Sequence, residues 1–131
     1  RRGDGRKVIA VSERESMRRR GIAVDAAIQP SLRRFFRRSA APDTPYAEKV
    51  HREFVCSGLL AIEAFHRALD EIQPDAVITV NGKMYAENIM FQLCRERGID
   101  VFTYERRKIN DTINFVSNKI SVDWDNEYAW A

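Results

Sequence analysis

The apolar residues change their spacing at Pro74, and this change constrains the fold more than any other feature of the sequence. Before Pro74, apolar side chains recur at steps of three and four, the period of one face of an amphipathic helix. We therefore predict one long helix over residues 45–72, with Thr44 as its N-cap and Pro45 at its first position. The apolar positions that carry this prediction are Val50, Phe54, Ala61, Phe65, Leu69 and Ile72.

After this point the sequence has the period of strands. Residues 76–80 are a β-branched run typical of a strand buried on both faces, and residues 81–83 predict a turn. Residues 84–97 predict a helix that Gly98 ends, and residues 99–104 predict a second strand. Strand, helix and strand in this order favour a right-handed parallel βαβ unit, and hence an open α/β sheet.

The outer segments of the chain have weaker patterns. Residues 105–118 are polar and predict irregular structure, residues 120–122 predict a third strand, and residues 126–131 predict a helix. Residues 8–11 form a short apolar run that fits either a strand or a helix, because periodicity does not separate the two over so few residues.

The region before the long helix leaves alternatives open. Residues 12–20 are compatible with a helix that Gly21 ends. Residues 22–28 fit a strand, or alternatively a helix that Asp25 caps. Pro30 suits the start of a helix.

Positive charge is concentrated in residues 1–40, an Arg-rich segment that holds twelve Arg and Lys residues against four Asp and Glu, a net charge of +8. The rest of the chain carries −5. Such clusters can contact nucleic acid, phosphorylated substrates or an anionic membrane. We favour a solvated helix face, or a surface that covers an acidic patch on a missing part of the parent protein. We expect no nucleic-acid partner, because no recognition motif accompanies the clusters. The clusters are Arg18-Arg19-Arg20, Arg33-Arg34 and Arg37-Arg38.

The length of 131 residues fits one α/β domain. The chain opens with Arg1 rather than Met, and the last predicted helix stops at the final residue, so we expect the N-terminal half of a larger protein. No apolar run reaches the roughly 20 residues that cross a bilayer and no signal-peptide pattern opens the given sequence, so we expect a cytoplasmic protein. Cys56 and Cys94 predict two small buried residues in a reducing compartment.

Two segments follow the predicted strands at the edge where parallel sheets bind ligands. Asn81-Gly82-Lys83-Met84-Tyr85 offers a glycine turn, backbone N–H groups at a helix start and a lysine, which together suit an anionic or hydroxyl-rich ligand. In the second segment, residues 104–108, the Glu105 carboxylate could bind sugar hydroxyls or act as a base. The plainer alternatives remain open, because Asn-Gly is a favoured turn and Glu105 could pair with a neighbouring arginine.

Familiar nucleotide and metal motifs are missing from the sequence. Val77 and Met84 stand where a phosphate-binding loop around Gly82-Lys83 needs its first glycine and its Ser or Thr. Asp123-Trp124-Asp125 resembles the Asp-x-Asp metal motif of some sugar transferases, but so short a match more often caps a helix. We therefore expect no metal site and no cofactor.

Residues 74–83 and 97–106 resemble bacterial capsule and surface-polysaccharide glycosyltransferases. In that family a strand ends in Asn-Gly-Arg, a helix follows, and the next strand carries Gly-Ile-x-Val-x-x-Tyr-Glu-Arg-Gly. This chain has Asn81-Gly82-Lys83 and then Gly98-Ile99-Asp100-Val101-Phe102-Thr103-Tyr104-Glu105-Arg106. Lys83 stands for the arginine and Arg107 for the last glycine, and the resemblance covers roughly residues 72–120.

The resemblance implies a Rossmann-like open, mainly parallel sheet with flanking helices, in a two-domain transferase. Such an enzyme moves a sugar from a nucleotide-sugar to a surface-polysaccharide or lipid-linked acceptor. This chain would be the acceptor-side half, inactive without the C-terminal donor-binding domain of the same parent chain.

The family also implies residue roles. Glu105 would be the acceptor ligand or base, Asn81 and Gly82 would line the cleft beside it, and Lys83 and Arg106 would offset phosphate charge. The Arg clusters could then face the inner surface of an anionic membrane. A noncatalytic Rossmann-like module, which binds a ligand or assembles through its basic face, is the alternative from another class.

Overall fold

The computed structural model describes residues 18–107 and 111–121. In chain order its helices and strands are β1 (Arg18–Arg19), β2 (Ile22–Ala23), α1 (Val24–Phe36), α2 (Pro45–Ile72), β3 (Ala76–Val80), α3 (Tyr85–Glu96), β4 (Asp100–Arg106) and β5 (Ile113–Ser117). The protein is therefore mixed α/β, and its described part holds three helices, a two-stranded hairpin and a three-stranded sheet. The elements expected at residues 8–11 and 126–131 lie outside the described residues.

The long helix α2 begins and ends as its sequence predicts. The Thr44 hydroxyl accepts a hydrogen bond of 3.1 Å from the Ala47 backbone N–H, and Pro45 follows Thr44 at the first helical position. At the other end, Gln73 adopts a left-handed conformation with φ of 48° and donates its N–H to the Leu69 carbonyl. In the described part of the chain, neither this helix nor any other combines the length and the hydrophobicity that crossing a membrane requires.

The three-stranded sheet has the order β3-β4-β5. β3 and β4 pair in parallel, with Val80 opposite Tyr104, as the predicted strand–helix–strand unit requires. β5 pairs with β4 in the antiparallel direction, with Asn114 opposite Glu105. The sheet is therefore mixed, and only its β3–β4 half matches the mainly parallel sheet that we expected.

β5 forms in a segment that we predicted to be irregular. Its side chains alternate between two faces, but the apolar Ile113 and Phe115 are exposed while Asn114 is half-buried. The strand is only five residues long and lies between polar segments, so its alternation is too short to identify a strand in the sequence. The predicted third strand at residues 120–122 is wrong for its described part, because Ile120 and Ser121 lie outside any strand.

The helices cover only one face of the sheet, which we call the inner face; the opposite one is the outer face. α3 packs on β3 and β4, and α1 and α2 pack against α3. Val101 and Thr103 on the inner face of β4 are buried, whereas Ile78 on the outer face of β3 is exposed. The prediction that residues 76–80 are buried on both faces is therefore wrong, because the described residues supply a helical layer for one face only.

The hydrophobic core lies between the three helices and the inner face of the sheet. A Cβ atom at Gly58 of α2 would lie 3.0 Å from Val24 Cγ1 and 3.4 Å from Ile28 Cγ2, so Gly58 allows α1 to pack closely on α2. The most deeply buried apolar side chains are Ile22, Val24, Ile28, Leu32, Ile62, Ile89, Leu93, Cys94 and Val101.

The region before α2 resolves the alternatives that the sequence left open. β1 and β2 form a hairpin whose turn residues, Arg20 and Gly21, have φ angles of 48° and 80°. The helix predicted over residues 12–20 is therefore wrong for residues 18–20. For residues 22–28 the helical alternative holds from Val24 onward, but the expected cap is wrong. Ala23 stands at the N-cap without a side-chain cap bond, and Asp25 lies in the first turn of α1.

We expected Pro30 at the start of a helix, but it lies inside α1. A proline inside a helix leaves the carbonyl four residues earlier without its hydrogen-bond donor. That carbonyl belongs to Ala26, which is exposed, so water can satisfy it.

The two cysteines differ in exposure. Cys94 on α3 is buried, as predicted, and burial raises the pKa of its thiol. Cys56 on α2 is exposed, contrary to the prediction, because it lies outside the apolar stripe of that helix.

Candidate functional site

Hydrogen bonds hold the turn after β3 in a defined shape. Asn81 donates its backbone N–H to the Tyr104 carbonyl at 2.8 Å, which extends the parallel ladder by one residue. The Asn81 Oδ1 atom accepts the Lys83 backbone N–H at 2.8 Å, the geometry of an Asx turn. Gly82 between them has φ of +83°, a left-handed conformation that favours glycine. The predicted turn at residues 81–83 is confirmed.

Gly82 also packs closely against neighbouring segments. A Cβ atom at this position would lie 3.3 Å from Ile120 Cγ1 and 3.4 Å from Thr103 Cγ2. The Gly82 carbonyl accepts a hydrogen bond of 3.1 Å from Asn88 Nδ2 on α3. These contacts fix the turn relative to both β4 and α3.

α3 begins beside this turn, and a residue of α1 caps it. Met84 stands at the N-cap position but makes no side-chain cap bond. The Ser31 hydroxyl of α1 instead accepts the Tyr85 backbone N–H at 2.9 Å. In any helix the other N–H groups of the first turn lack intrahelical partners, and together with the helix dipole they favour anionic or hydroxyl-bearing ligands.

Glu105 lies on the inner face of β4, one residue beyond the last residue that pairs with β3. Its Oε2 atom is buried and has no hydrogen-bond partner among the described residues. The hydroxyl of Ser121 is likewise buried, and it has no hydrogen-bond partner among the described residues. Leaving a buried polar group unpaired costs roughly 1–3 kcal/mol. Each of these two groups is therefore a position where a ligand could supply the missing hydrogen bond.

The two unpartnered groups belong to one network at the edge of the sheet. Asn114 lies opposite Glu105 in the antiparallel ladder and donates its side-chain amide to the Ser121 carbonyl at 2.8 Å. The Ser121 backbone N–H donates in turn to the Asn81 carbonyl at 3.1 Å. This network therefore connects the position of Glu105 with the turn after β3.

The predicted site residues do not all share one face. Asn81, Gly82, Lys83, Tyr85 and Glu105 lie at the carboxyl edge of the β3–β4 pair. The exposed Lys83 side chain has no ion-pair partner in the described part of the chain. Arg106 lies on the outer face, because side chains alternate along a strand and Glu105 occupies the inner one. An ion pair between Glu105 and an arginine is not found within the described ranges, and Lys108 lies outside them.

Tyr85 also lines a groove of about 510 Å³ between α1, α2 and the start of α3, which we call the aromatic groove. The rings of Phe54 and Tyr85 meet edge to face at 5.9 Å, and those of Phe35 and Phe54 at 6.0 Å. Small-molecule pockets have volumes of roughly 300–1,000 Å³ and combine apolar walls with a few polar groups. The lining residues that matter here are Phe35, Tyr46, Lys49, Glu53, Phe54 and Tyr85.

The first arginine cluster is engaged in ion pairs with α2. Glu63 accepts hydrogen bonds from Arg19 Nε at 2.6 Å and from Arg20 Nη2 at 2.9 Å. These bonds, from Arg20 and then from Arg19, lower the pKa of Glu63 to about 2. Arg19 and Arg20 therefore pair with an acidic group of this chain, and cover for a missing part of the parent protein stays a prediction.

A second ion pair joins α2 to the end of α3. Asp70 accepts a hydrogen bond of 2.7 Å from Arg97 Nη1, and this bond lowers the pKa of the Asp70 carboxyl. His66 Nδ1 lies 3.2 Å from the other oxygen of Asp70. Together these contacts extend the charged network along the exposed side of α2.

The second arginine cluster, at the C-terminal end of α1, is exposed. It forms no ion pair with any residue in the described ranges. We call it the basic face. Its members are Arg33, Arg34, Arg37 and Arg38.

Several groups at this edge were not predicted from the sequence. Ser31 and Ser121 reach the turn only through long-range folding, so no local pattern identifies them. Asn114 had a signal, an asparagine between apolar residues, but it was missed because the strand itself was not predicted. The aromatic groove exists because α1 packs across α2, which the spacing of its rings does not reveal.

A scan of protein-family models, a search of curated proteins and a search of solved structures each found no match to this chain. Its function must therefore be argued from the site itself. Within residues 18–107 and 111–121, no cluster of three or more His, Cys, Asp or Glu side chains could hold a metal ion. Asp123-Trp124-Asp125 lies outside these ranges.

Proposed function

We propose that this domain is the acceptor-side half of a glycosyltransferase, which moves a sugar from a nucleotide-sugar to a surface-polysaccharide or lipid-linked acceptor. The observation that carries the proposal is the buried, unpartnered carboxylate oxygen of Glu105 at the carboxyl edge of the sheet. A carboxylate that keeps a free lone pair away from water can accept a hydrogen bond from an acceptor hydroxyl and take its proton during attack.

The groups around Glu105 suit a hydroxyl-rich ligand. The unpartnered Ser121 hydroxyl can donate to or accept from a second sugar hydroxyl. Lys83, exposed beside the turn, can offset the negative charge of a phosphate on the donor or on a lipid-linked acceptor. Arg106 is exposed on the outer face of the same edge, so it can meet only a phosphate that extends past the end of β4.

The aromatic groove extends this site towards α1 and α2. Aromatic rings pack against the C–H faces of sugars, while Lys49 and Glu53 at the groove can hydrogen-bond sugar hydroxyls. Tyr85 belongs both to the groove and to the start of α3, so the groove reaches the helix start beside the turn after β3. We therefore assign the groove to further sugar units of an oligosaccharide acceptor.

A glycosyltransferase of this kind would have a Rossmann-like sheet, a second domain and a place at the membrane. The parallel β3–β4 pair with α3 between its strands would be part of a Rossmann-like sheet, whose ligands bind at the carboxyl edge. The donor site would come from a C-terminal domain of the same parent chain. The basic face would hold the cytoplasmic protein at the inner membrane surface, where each arginine contributes about 1 kcal/mol on anionic lipid.

Glycan binding tests the proposal without requiring catalysis. The probes are neutral and acidic oligosaccharides prepared from bacterial capsules and lipopolysaccharide cores, screened on an array and then measured by calorimetry. We expect the chain to bind a subset of them, and Glu105→Gln to weaken that binding by about tenfold or more, the effect of losing a charged hydrogen bond. Glu71→Gln, which changes an exposed carboxylate of α2, is the matched control and should bind as the unchanged chain does.

The proposal fails if no oligosaccharide binds, or if Glu105→Gln and Glu71→Gln bind equally well. With a nucleotide-sugar added, the chain alone should transfer no sugar, because the proposal places the donor site in another domain.

A noncatalytic ligand-binding or assembly module is the second candidate, and the exposed basic face favours it. Both candidates allow the basic face to bind phosphatidylglycerol vesicles, and only the first requires an oligosaccharide to bind at Glu105. If the vesicles bind through the basic face and no oligosaccharide binds at Glu105, the second candidate explains the protein better.

A further inference from the structure

The outer face of the sheet carries large apolar side chains that no described residue covers. Their exposed fractions are 66% for Ile78, 41% for Val80, 37% for Tyr104, 64% for Ile113 and 56% for Phe115. Contiguous exposed apolar patches larger than a few hundred Å² are rare on monomeric proteins and mark interaction sites. The outer face is therefore a candidate interface.

These side chains form a continuous layer across all three strands. Val80, Tyr104 and Phe115 occupy adjacent positions in the register of β3, β4 and β5. In the neighbouring row, Phe102 lies beside Ile78, and its ring stacks on that of Phe115 with centroids 5.5 Å apart and an interplanar angle of 11°. Phe102 and Phe115 therefore support each other within the patch.

Opposite charges stand at the two ends of the central strand. Asp100 begins β4 and Arg106 ends it, and both are exposed on the outer face. Their separation of six residues corresponds to roughly 20 Å along a strand. Asp100 accepts a hydrogen bond of 3.0 Å from Asn118 Nδ2, and Arg106 has no ion-pair partner in the described part of the chain.

We propose that a second copy of this chain covers the outer face, so that two sheets pack face to face in a symmetric dimer. Stacked sheets lie about 10 Å apart. If the two β4 strands run antiparallel, Asp100 lies opposite the partner's Arg106, and Arg106 lies opposite the partner's Asp100. If they run parallel, like charges face each other at both ends. The two-fold axis therefore lies between the sheets and crosses the strands.

The charges on the outer face are self-complementary, and this favours a second copy of the chain as the partner. In a two-fold interface the same patch meets itself, so each charge must find its opposite at the symmetry-related position. The positions of Asp100 and Arg106 on either side of the aromatic layer meet this condition. The proposed glycan site at Glu105 uses the inner face and the carboxyl edge, so the dimer leaves Glu105 open. Arg106 is the one residue that we assign both to a ligand phosphate and to the dimer interface.

Sedimentation equilibrium of the full chain tests the dimer. Three strands of five to seven residues form a face at the small end of specific interfaces, so we expect a dissociation constant on the order of micromolar. Between about 1 and about 300 μM, the mass should therefore rise from one 15.2 kDa chain towards two. Phe115→Lys should keep the protein monomeric, whereas Leu60→Lys, at an exposed apolar position on α2, should dimerise normally.

Charge reversal tests the arrangement. Arg106→Asp should weaken the dimer at least tenfold, because two like-charge pairs replace two opposite ones, and Asp100→Arg should do the same. The double variant D100R/R106D should restore affinity to within a few-fold of the original. Circular dichroism checks that each variant is folded, because Asp100→Arg also removes the bond to Asn118.

The proposal is overturned if the unchanged chain stays monomeric over the whole concentration range. It is also overturned if the dimer persists in Phe115→Lys, or if the double charge reversal fails to recover what each single reversal loses. None of these results bears on glycan binding at Glu105, which calorimetry measures separately.

Discussion

The Ser31 hydroxyl on α1 accepts the backbone N–H of Tyr85, the first residue of α3, at 2.9 Å, although the two residues are 54 positions apart in the chain. The same hydroxyl lies 3.7 Å from Met84 Sδ. α3 therefore receives its N-terminal cap from another helix. This one bond joins the aromatic groove to the carboxyl edge of the sheet and helps to position the candidate site.

Ser31→Ala should lower the free energy of unfolding by about 1 kcal/mol, the usual cost of losing an N-cap hydroxyl. Urea denaturation followed by circular dichroism measures the change. Ser39→Ala, at an exposed loop position, is the matched control and should leave stability unchanged. Equal stability of Ser31→Ala and the unchanged chain would show that the cap contributes nothing.

Gly82→Ala should destabilise the protein more than Gly98→Ala does. Both glycines have positive φ, +83° and +68°, so both substitutions cost about 1 kcal/mol in backbone strain. A Cβ at Gly82 also crowds Ile120 and Thr103, whereas a Cβ at Gly98 meets nothing within 4 Å. Thermal and urea unfolding of the two variants give the comparison. A smaller effect at Gly82 would contradict the close packing of the turn.

The ion-paired carboxyl of Glu63 should make the free energy of unfolding depend on pH. Its pKa is about 2 in the folded protein, below its ordinary value of 4.5, because Arg20 and Arg19 bond to it. A depressed pKa contributes stability that is present above pH 4.5 and is lost as the pH falls from 4.5 towards 2. Urea midpoints across this window should fall less in Glu63→Gln than in the unchanged chain. If the urea midpoints of the two proteins fell equally with pH, the ionised Glu63 carboxyl would contribute nothing to stability.

The two thiols should react at different rates. Cys56 is exposed, whereas Cys94 is buried and its thiol pKa is raised, which lowers the fraction of reactive thiolate. With Ellman's reagent at neutral pH, we expect one fast thiol in the folded protein and a second after unfolding. Cys56→Ser should abolish the fast phase. Two fast thiols in the folded chain would contradict the burial of Cys94.

Tyr46→Ala should weaken oligosaccharide binding several-fold with little loss of stability, because Tyr46 is an exposed wall of the aromatic groove. Leu60→Ala removes another exposed apolar side chain of α2 away from the groove and is the control. Calorimetry with the tightest oligosaccharide of the panel measures both. If the two variants bind equally, the groove takes no part in recognition.

The sequence predicts the elements whose signals are local. Thr44 and Pro45 mark the start of α2, and Asn81-Gly82 marks the turn after β3, because caps and turns depend on a few adjacent residues. β5 was missed because its alternation covers only five residues between polar segments, too few to separate a strand from irregular structure. No pattern within β3 indicates whether a second layer of helices exists to cover it.

In the candidate site, too, some features follow from local sequence signals and others depend on distant packing. The edge that holds Asn81 and Glu105 could be placed from strand order alone, because ligands bind at the carboxyl ends of parallel strands. The opposite orientation of Arg106 also follows from strand alternation once the bounds of β4 are known. The unpartnered oxygen of Glu105 and the cap from Ser31 depend on how distant segments pack, so only the structure reveals them.

An NMR titration of the ¹⁵N-labelled chain with the tightest oligosaccharide tests the central claim most directly, because it locates the ligand without assuming catalysis. The account predicts that the backbone amide signals of Gly82, Lys83, Tyr85 and Glu105 shift together and saturate at the calorimetric affinity. Shifts confined to the basic face or to the outer face of the sheet, with those four signals unmoved, would contradict it.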